Sequence, residues 1–417
     1  KSAGGALTFR DKKEEGTMGP HDPPAGAGRP NSRWFAAFLL FGAVVFFLPF
    51  FFKGEHIVPF QFEKGSITGI PSGGAAPSVR RRFPGVDNSP VTIHYPNAAL
   101  AGTYLRAGRL PTWNPYVGCG EPALANGQIY PFSPLMWPFY AVPTPWIYTM
   151  CLMLGCLWAS LGGLLWLRRF GVGKWGAYLG AVLWAFNPWT IHMVIYSSVW
   201  AAWWFGWLLW GWDLARSRPG ARWWVPAVMT AGMVFSGHPE TALILAAASG
   251  LYALLAWILE EPGKRPSFGR FAGSSAISIA TAGLLTMAQW LPVLSRLLTS
   301  ATYKFQSPGS VTPSYFYFNA LFNPDSQLFL APAMFALALA GITLLTRNKR
   351  LYAVLVLFAL SLLFVFRIPY IHQLKEWVTL GGVLPGIYAR SLFWYTLIPF
   401  VAAGTAPGND GCISDFC

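Results

Sequence analysis

About ten stretches of roughly 16 to 22 apolar residues, none with a charge near its centre, recur along this chain. A helix of that length matches the roughly 30 Å hydrocarbon core of a bilayer. The sequence therefore predicts an all-α polytopic membrane protein with about ten transmembrane helices. The predicted spans are 34–52, 146–167, 175–192, 198–213, 223–236, 240–259, 271–291, 327–346, 351–366 and 388–404.

Charge is scarce and unevenly placed. Charged residues make up 11% of the chain, against about a quarter in soluble domains. Most of the basic residues behind the net charge of +14 lie before the first span and in every second loop after it. This is the positive-inside pattern, which predicts a cytoplasmic N-terminus and no nucleic-acid partner. The basic loop residues are Arg168, Arg169, Lys174, Arg216, Arg218, Arg222, Lys264, Arg265, Arg270, Arg347, Lys349 and Arg350.

The same count places four segments together on the extracytoplasmic face. They are the long first loop at 53–145, the turn at 237–240, and the loops at 291–326 and 367–384. Long Gly- and Pro-rich loops held by a rigid scaffold often carry function. We therefore expect one composite site on that face.

Three regions are predicted along the chain. Residues 1–33 form a disordered cytoplasmic tail, and 34–404 form the membrane domain that contains the 53–145 loop. Residues 405–417 lose the membrane pattern, so we expect an irregular, non-native tail on a truncated chain. The five cysteines show no metal-ligand spacing.

The densest run of polar and aromatic residues lies at 111–131. Its prolines and glycines exclude long helices. Amides can donate and accept hydrogen bonds, and aromatic faces suit sugar rings, so this run is a candidate substrate-binding wall. Interfacial aromatic anchors and amides that cap turns have the same composition, so a structural role for this run stays open. The side chains concerned are Trp113, Asn114, Asn126, Gln128 and Tyr130.

Asp87 lies just upstream, before a predicted short helix at 96–106. A carboxylate there could accept a proton from an acceptor hydroxyl or bind a divalent cation. The run Asp-Asn-Ser-Pro is also a good turn sequence, so a structural role stays open.

Further candidates lie at the predicted ends of spans. Glu240 follows His238 and Pro239, and a carboxylate is favoured at a helix N-terminus, so both could serve only to begin the helix. His94 could donate to a phosphate oxygen or be structural. Arg390, at the start of an apolar span, could clasp a lipid-linked phosphate or extend to the headgroups.

These residues carry a family resemblance. The runs GRLPTWNPY from Gly108 and GEPALANGQIYP from Gly120, downstream of Asp87, look like the first-loop signature of the YfhO family of bacterial membrane proteins. The turn GHPE from Gly237 resembles that family's Gly-His-Pro-Gln turn, and LPG from Leu384 before Arg390 resembles a later motif. The resemblance covers about 34–404.

Such proteins are similar to the GT-C class of glycosyltransferases, which use a polyprenyl-phosphate sugar donor at the outer face. The resemblance implies that Asp87 is a catalytic base or metal ligand, and that the run from Trp113 to Tyr130 forms a pocket wall facing His238 and Glu240. The chain departs from the family at Glu240, where Gln is usual, and at Asn88, which leaves no acidic pair. A metal site with two carboxylates is therefore in doubt.

The resemblance implies a protein of the bacterial cytoplasmic membrane that transfers a sugar to an extracytoplasmic envelope glycan or polymer. Membrane lipid would surround it, and a divalent cation is a possible cofactor. A lipid or polysaccharide flippase and a non-catalytic assembly subunit are the alternatives. Ion-coupled transporters place charges near the membrane centre. None of the predicted spans has one there, which favours chemistry at the surface.

Overall fold

The computed structural model describes residues 93–170, 172–217, 221–299, 332–342, 349–365 and 389–404, together with Leu40. The predicted tails at 1–33 and 405–417, nearly all of the predicted span at 34–52, and Asp87 lie outside the described residues.

The described part is mostly helical. In the first loop the elements are α1 (Tyr95–Arg106), a two-stranded antiparallel sheet of β1 (Trp113–Asn114) and β2 (Glu121–Pro122), 3-10 turns at Leu124–Asn126 and Pro134–Met136, and α2 (Trp137–Ala141). The helices that follow are α3 (Pro145–Arg169), α4 (Lys174–Phe186), α5 (Pro188–Met193), α6 (Ser197–Ala202), α7 (Phe205–Ser217), α8 (Trp224–Phe235), α9 (Pro239–Leu259), α10 (Phe268–Leu285), α11 (Met287–Thr299), α12 (Pro332–Ile342), α13 (Arg350–Val365) and α14 (Ala389–Gly404).

Two helices in the described residues, α3 and α9, are long and apolar enough to cross a membrane. A third span results if α10 and α11, which are bent by 76° at a short break, are counted as one. Shorter apolar helices include α8 and α12. The described residues therefore contain two or three candidate spans, and the expected number of about ten is not reached.

Two predicted spans are interrupted. The stretch 175–192 divides into α4 and α5 because Pro188 has no backbone N–H and holds Asn187 in an extended conformation, with ψ of 157°. Asn187 Oδ1 accepts from the backbone N of Thr190 at 3.0 Å and begins the new helix. The stretch 198–213 divides into α6 and α7 around Trp203.

Glycines allow α3 and α7 to pack closely. A Cβ placed on Gly206 would lie 2.6 Å from the backbone N of Gly163, and one on Gly155 would meet the Trp203 ring at 2.1 Å. Small residues that bring backbones together replace side-chain interdigitation in apolar surroundings. The buried core around this contact is rich in tryptophan, including Trp166 and Trp184.

Helix α9 joins the two ends of the bundle. Its 21 residues span about 31 Å at 1.5 Å per residue. At its start, the backbone N of His238 donates to Gly127 O of the first loop at 3.1 Å. We call this the loop end.

Just past the other end of α9, a buried charge network defines the arginine end. Arg216 pairs with Glu260 and, at 3.3 Å, with Asp213, while Arg350 lies 3.7 Å from Glu260. Tyr252 of α9 donates to both carboxylate oxygens of Asp213 at 3.1 Å. The structure thus brings together basic residues from separate loops that the charge count assigns to one side.

Candidate functional site

The described part of the first loop, residues 93–145, folds into a compact cap at the loop end. Its short helix is present at Tyr95–Arg106, and 111–131 contains only two-residue strands and a 3-10 turn, so both predictions are confirmed. Tyr104 donates its hydroxyl to Trp113 O at 2.8 Å, which fixes the hairpin on α1. Gly120, with φ of 95°, lies against the Trp113 ring, where a Cβ would approach within 2.5 Å.

Several predicted wall residues hold the cap together. Asn114 is buried, and its Oδ1 accepts from the backbone N of Tyr116 at 3.0 Å, the geometry of a turn. Tyr130 is fully buried, and its hydroxyl donates to His94 O at 3.1 Å. Trp113 is 46% exposed, so of these three side chains it is the one that a ligand could stack upon. Gln128 is partly buried.

A polar cluster joins the cap to α11. Asn126 Nδ2 donates to Glu121 Oε1 at 2.6 Å, and the other carboxylate oxygen of Glu121 pairs with Arg296 Nη2 at 3.0 Å. Nearby, Gln289 donates from Nε2 to Ile129 O at 2.9 Å. Helix α11 therefore packs beneath the turn at 124–126 and is part of the site.

His238, Tyr130 and His94 lie close together under the cap. A Cβ on Gly237 would lie 2.6 Å from Tyr130 Cδ1, and the Tyr130 ring packs edge-on against Trp200 at 4.6 Å. His94 packs against Tyr196 at 5.2 Å. This cluster of rings supports the cap from below.

His238 adopts an unusual backbone conformation. Its φ of 54° is left-handed, and it is the N-cap of α9. Its Nδ1 lies 2.9 Å from Thr241 Oγ1 and accepts from the backbone N of Thr241 at 3.4 Å, so the ring proton of the neutral form lies on Nε2. Glu240 Oε2 lies 3.6 Å from Nε2, in the first turn of α9 as expected.

Burial, followed by the nearby His94, lowers the pKa of His238 to about 3. The Glu240 carboxylate favours the protonated ring, but its side chain is 31% exposed and its charge is screened by solvent. His238 is therefore neutral at physiological pH and can donate or accept a hydrogen bond without adding charge.

An apolar cavity of about 660 Å³ begins directly below this cluster. Gly127, Gly237 and Pro239 border it at the loop end, and it reaches Trp212 and Ser249 between α8, α9, α10 and α11. Large apolar side chains on its rim are exposed, among them Leu243 at 56% and Ile279 at 65%. A cavity with such a rim can accept the apolar chain of an amphiphile from the side.

The described side chains do not include those of two predicted site residues. Asp87 lies outside the described residues. Arg390 is the second residue of α14, which packs against α4, α12 and α13; the structure describes the backbone of Arg390 and not its side chain. Within the described part of the chain, no group of three His, Cys, Asp or Glu side chains is placed to hold a metal ion.

Sequence reasoning missed the contribution of α11. Hydropathy predicts one straight span over 271–291, whereas the chain bends at Thr286 and a separate helix runs from Met287 to Thr299. The signal was the helical spacing of the apolar residues in MAQWLPVLSRLLT. That spacing is typical of a helix with one apolar face at a membrane surface.

The fold and the site define a mostly helical protein with apolar helices suited to a membrane and a polar cap above an apolar cavity. Comparisons of the chain with protein-family models, with curated proteins and with solved structures gave no match.

Proposed function

We propose that the protein is a bacterial membrane glycosyltransferase that moves a sugar from a polyprenyl-phosphate donor to an extracytoplasmic cell-envelope acceptor. The observation that carries the proposal is the continuity between the polar cap and the apolar cavity of about 660 Å³. A lipid-linked sugar has the same division, with a polar head and a long apolar chain. The resemblance to the YfhO family points to the same donor.

The proposal includes the full predicted topology of about ten spans, a cytoplasmic N-terminus and the cap on the extracytoplasmic face. Helices α4 with α5, and α6 with α7, would each cross once as an interrupted span. Neighbouring helices can satisfy the backbone groups freed at such a break.

In the proposed reaction, the acceptor hydroxyl oxygen bonds to the anomeric carbon as the bond from that carbon to the phosphate oxygen breaks. Asp87 receives the hydroxyl proton, and an arginine offsets the charge on the departing phosphate. A divalent cation, if bound, would supply the same positive charge. A single displacement of this kind inverts the anomeric configuration. Trp113 and Glu240 would contact the sugar at the cap.

The first test uses membranes that contain the protein and a radiolabelled polyprenyl-phosphate sugar. Label should pass to an envelope polymer, and Asp87→Asn should reduce the transfer rate by about 100-fold, the lower range for a general base. Unchanged transfer in this variant would remove Asp87 from its assigned role.

The second test fills the cavity. Gly283 lines it, and a Cβ placed on Gly283 would have no neighbouring atom within 4 Å, so Gly283→Leu puts a side chain in open space. We expect loss of donor binding with unchanged or slightly increased stability, because glycine within a helix costs about 0.5 to 1 kcal/mol. Gly269→Leu is the matched control, because Gly269 is on the same helix and equally open but does not line the cavity.

A lipid flippase is the second candidate, and the 76° bend between α10 and α11 favours it. Transporters often build their sites from broken helices. Measuring lipid translocation in vesicles alongside sugar transfer separates the two functions: movement of the lipid-linked sugar without its consumption would replace the proposed transferase by the flippase.

A further inference from the structure

The Glu121–Arg296 pair lies where the apolar cavity meets the polar cap. Val293 and Gln289 of α11 line the cavity. Arg296 lies three residues after Val293 and seven after Gln289, so all three are on the same face of the helix. It is about 4.5 Å further along the helix axis than Val293. The guanidinium is therefore close to where the head of an amphiphile lying in the cavity would emerge.

The Arg296 guanidinium is only partly engaged. Its Nη2 pairs with Glu121 Oε2 at 3.0 Å, while its Nη1 is buried and has no hydrogen-bond partner among the described residues. A buried guanidinium N–H without an acceptor is unfavourable. The Arg296 side chain as a whole is 40% exposed, so solvent reaches other atoms of this side chain but not Nη1.

Glu121 is held from a second side. Its Oε1 accepts from Asn126 Nδ2 at 2.6 Å, so the carboxylate stays at the cap when Arg296 is engaged elsewhere. The arrangement is a cation restrained by a fixed carboxylate, with one guanidinium nitrogen, Nη1, that lacks an acceptor. A planar guanidinium can bind two phosphate oxygens at once.

We propose that Arg296 binds the phosphate of a single amphiphile whose apolar chain occupies the cavity, and that Glu121 competes with this phosphate for the guanidinium. The inference rests on the proposed function and deepens it, because it names the residue that holds the donor phosphate. The occupant is a polyprenyl phosphate, whose negative head complements Arg296 and whose chain matches the apolar lining.

The experiment measures binding without any acceptor or transfer step. Purified full-length protein in detergent is titrated with a long-chain polyprenyl monophosphate and, separately, with the neutral polyprenol of the same length. The ratio of the two dissociation constants reports the contribution of the phosphate. Inorganic phosphate, as a competitor, distinguishes a lipid phosphate from a free one.

We expect the wild-type protein to prefer the phosphate, and Arg296→Gln to lose about tenfold of that preference while still binding the alcohol. Glu121→Gln should change the preference in the opposite direction and strengthen phosphate binding severalfold, because it keeps an acceptor for Asn126 but no longer holds the arginine by charge. Arg270→Gln, an exposed residue at the start of α10, is the control and should match the wild type.

Three results would overturn the inference. They are an unchanged preference in Arg296→Gln, a weakening in Glu121→Gln as large as that in Arg296→Gln, and displacement of the lipid by inorganic phosphate at equal concentration. The second result would mean that the pair only braces α11 against the cap. Sugar transfer by the wild-type protein is scored separately, so a failed transferase with an intact phosphate preference refutes the proposed function and leaves the binding site standing.

Discussion

Replacing His238 by asparagine should reduce the sensitivity of the protein to acid. Asparagine tolerates the left-handed backbone conformation with φ of 54° and can still cap α9, so the change removes the titrating ring with little backbone strain. The imidazole has a pKa of about 3 in the folded protein, against about 6.5 in an unfolded chain.

The direction of this pH dependence of stability follows from proton uptake. As the pH falls below about 6.5, the unfolded chain binds a proton at His238, whereas the folded protein does so only near pH 3. The stability linked to this residue is therefore fully present above about pH 6.5 and is lost as the pH falls toward 3. At pH 4.5 the wild-type protein should have lost about 2.7 kcal/mol through His238 alone, from about 1.4 kcal/mol per pH unit.

The assay is reversible denaturant unfolding in detergent micelles at pH 8 and pH 4.5. His238→Asn should be less stable than the wild type at pH 8, because ring packing is lost, but its further loss at pH 4.5 should be smaller by about 2 to 3 kcal/mol. Thr241→Val is the control: it removes the hydroxyl next to Nδ1 but keeps the ring, and it should show the wild-type acid dependence. An equal acid-induced loss in His238→Asn and the wild type would refute the reasoning.

Three further outcomes are expected. Gly237→Ala should lower the unfolding free energy by at least about 1 kcal/mol, because its φ of 88° is unfavourable with a Cβ and that atom would meet Tyr130; Gly263→Ala, in open space, is the comparison. Tyr252→Phe should cost about 1 to 3 kcal/mol by removing a donor from the buried Asp213 carboxylate, measured by the same titration. Arg216→Gln should cost about 3 to 5 kcal/mol, because it leaves buried Asp213 without its cation, and a smaller loss than that of Tyr252→Phe would contradict the network.

Apolar periodicity is enough to predict the helical class and the approximate positions of α3 and α9. It does not predict the interruptions, because hydropathy averages over a window and one Asn-Pro pair hardly changes the average. The break at Asn187 depends instead on a missing N–H and a local cap. Likewise, Thr286 donates its hydroxyl to Ala282 O at 2.7 Å where α10 ends, a contact that hydropathy does not register.

The candidate site is predicted in part. Composition identifies the cap residues and the turn at 237–240, and the structure brings His94, Tyr130 and His238 together. Glu121 and Arg296 are visible in the sequence only as separate charged residues, 175 positions apart. Their pairing depends on how α11 folds back under the cap, which no local pattern specifies.

The bonds that attach the cap to the bundle also constrain when the site can form during synthesis. The hydrogen bond to Ile129 O cannot form until Gln289, 160 positions later in the chain, has been synthesised. At about 5 to 20 residues per second, the ribosome needs roughly 8 to 32 seconds to supply that partner. During that interval the cap residues have been synthesised but α11, which packs beneath them, has not. The binding site of a nascent chain can therefore form only after α11 has been synthesised.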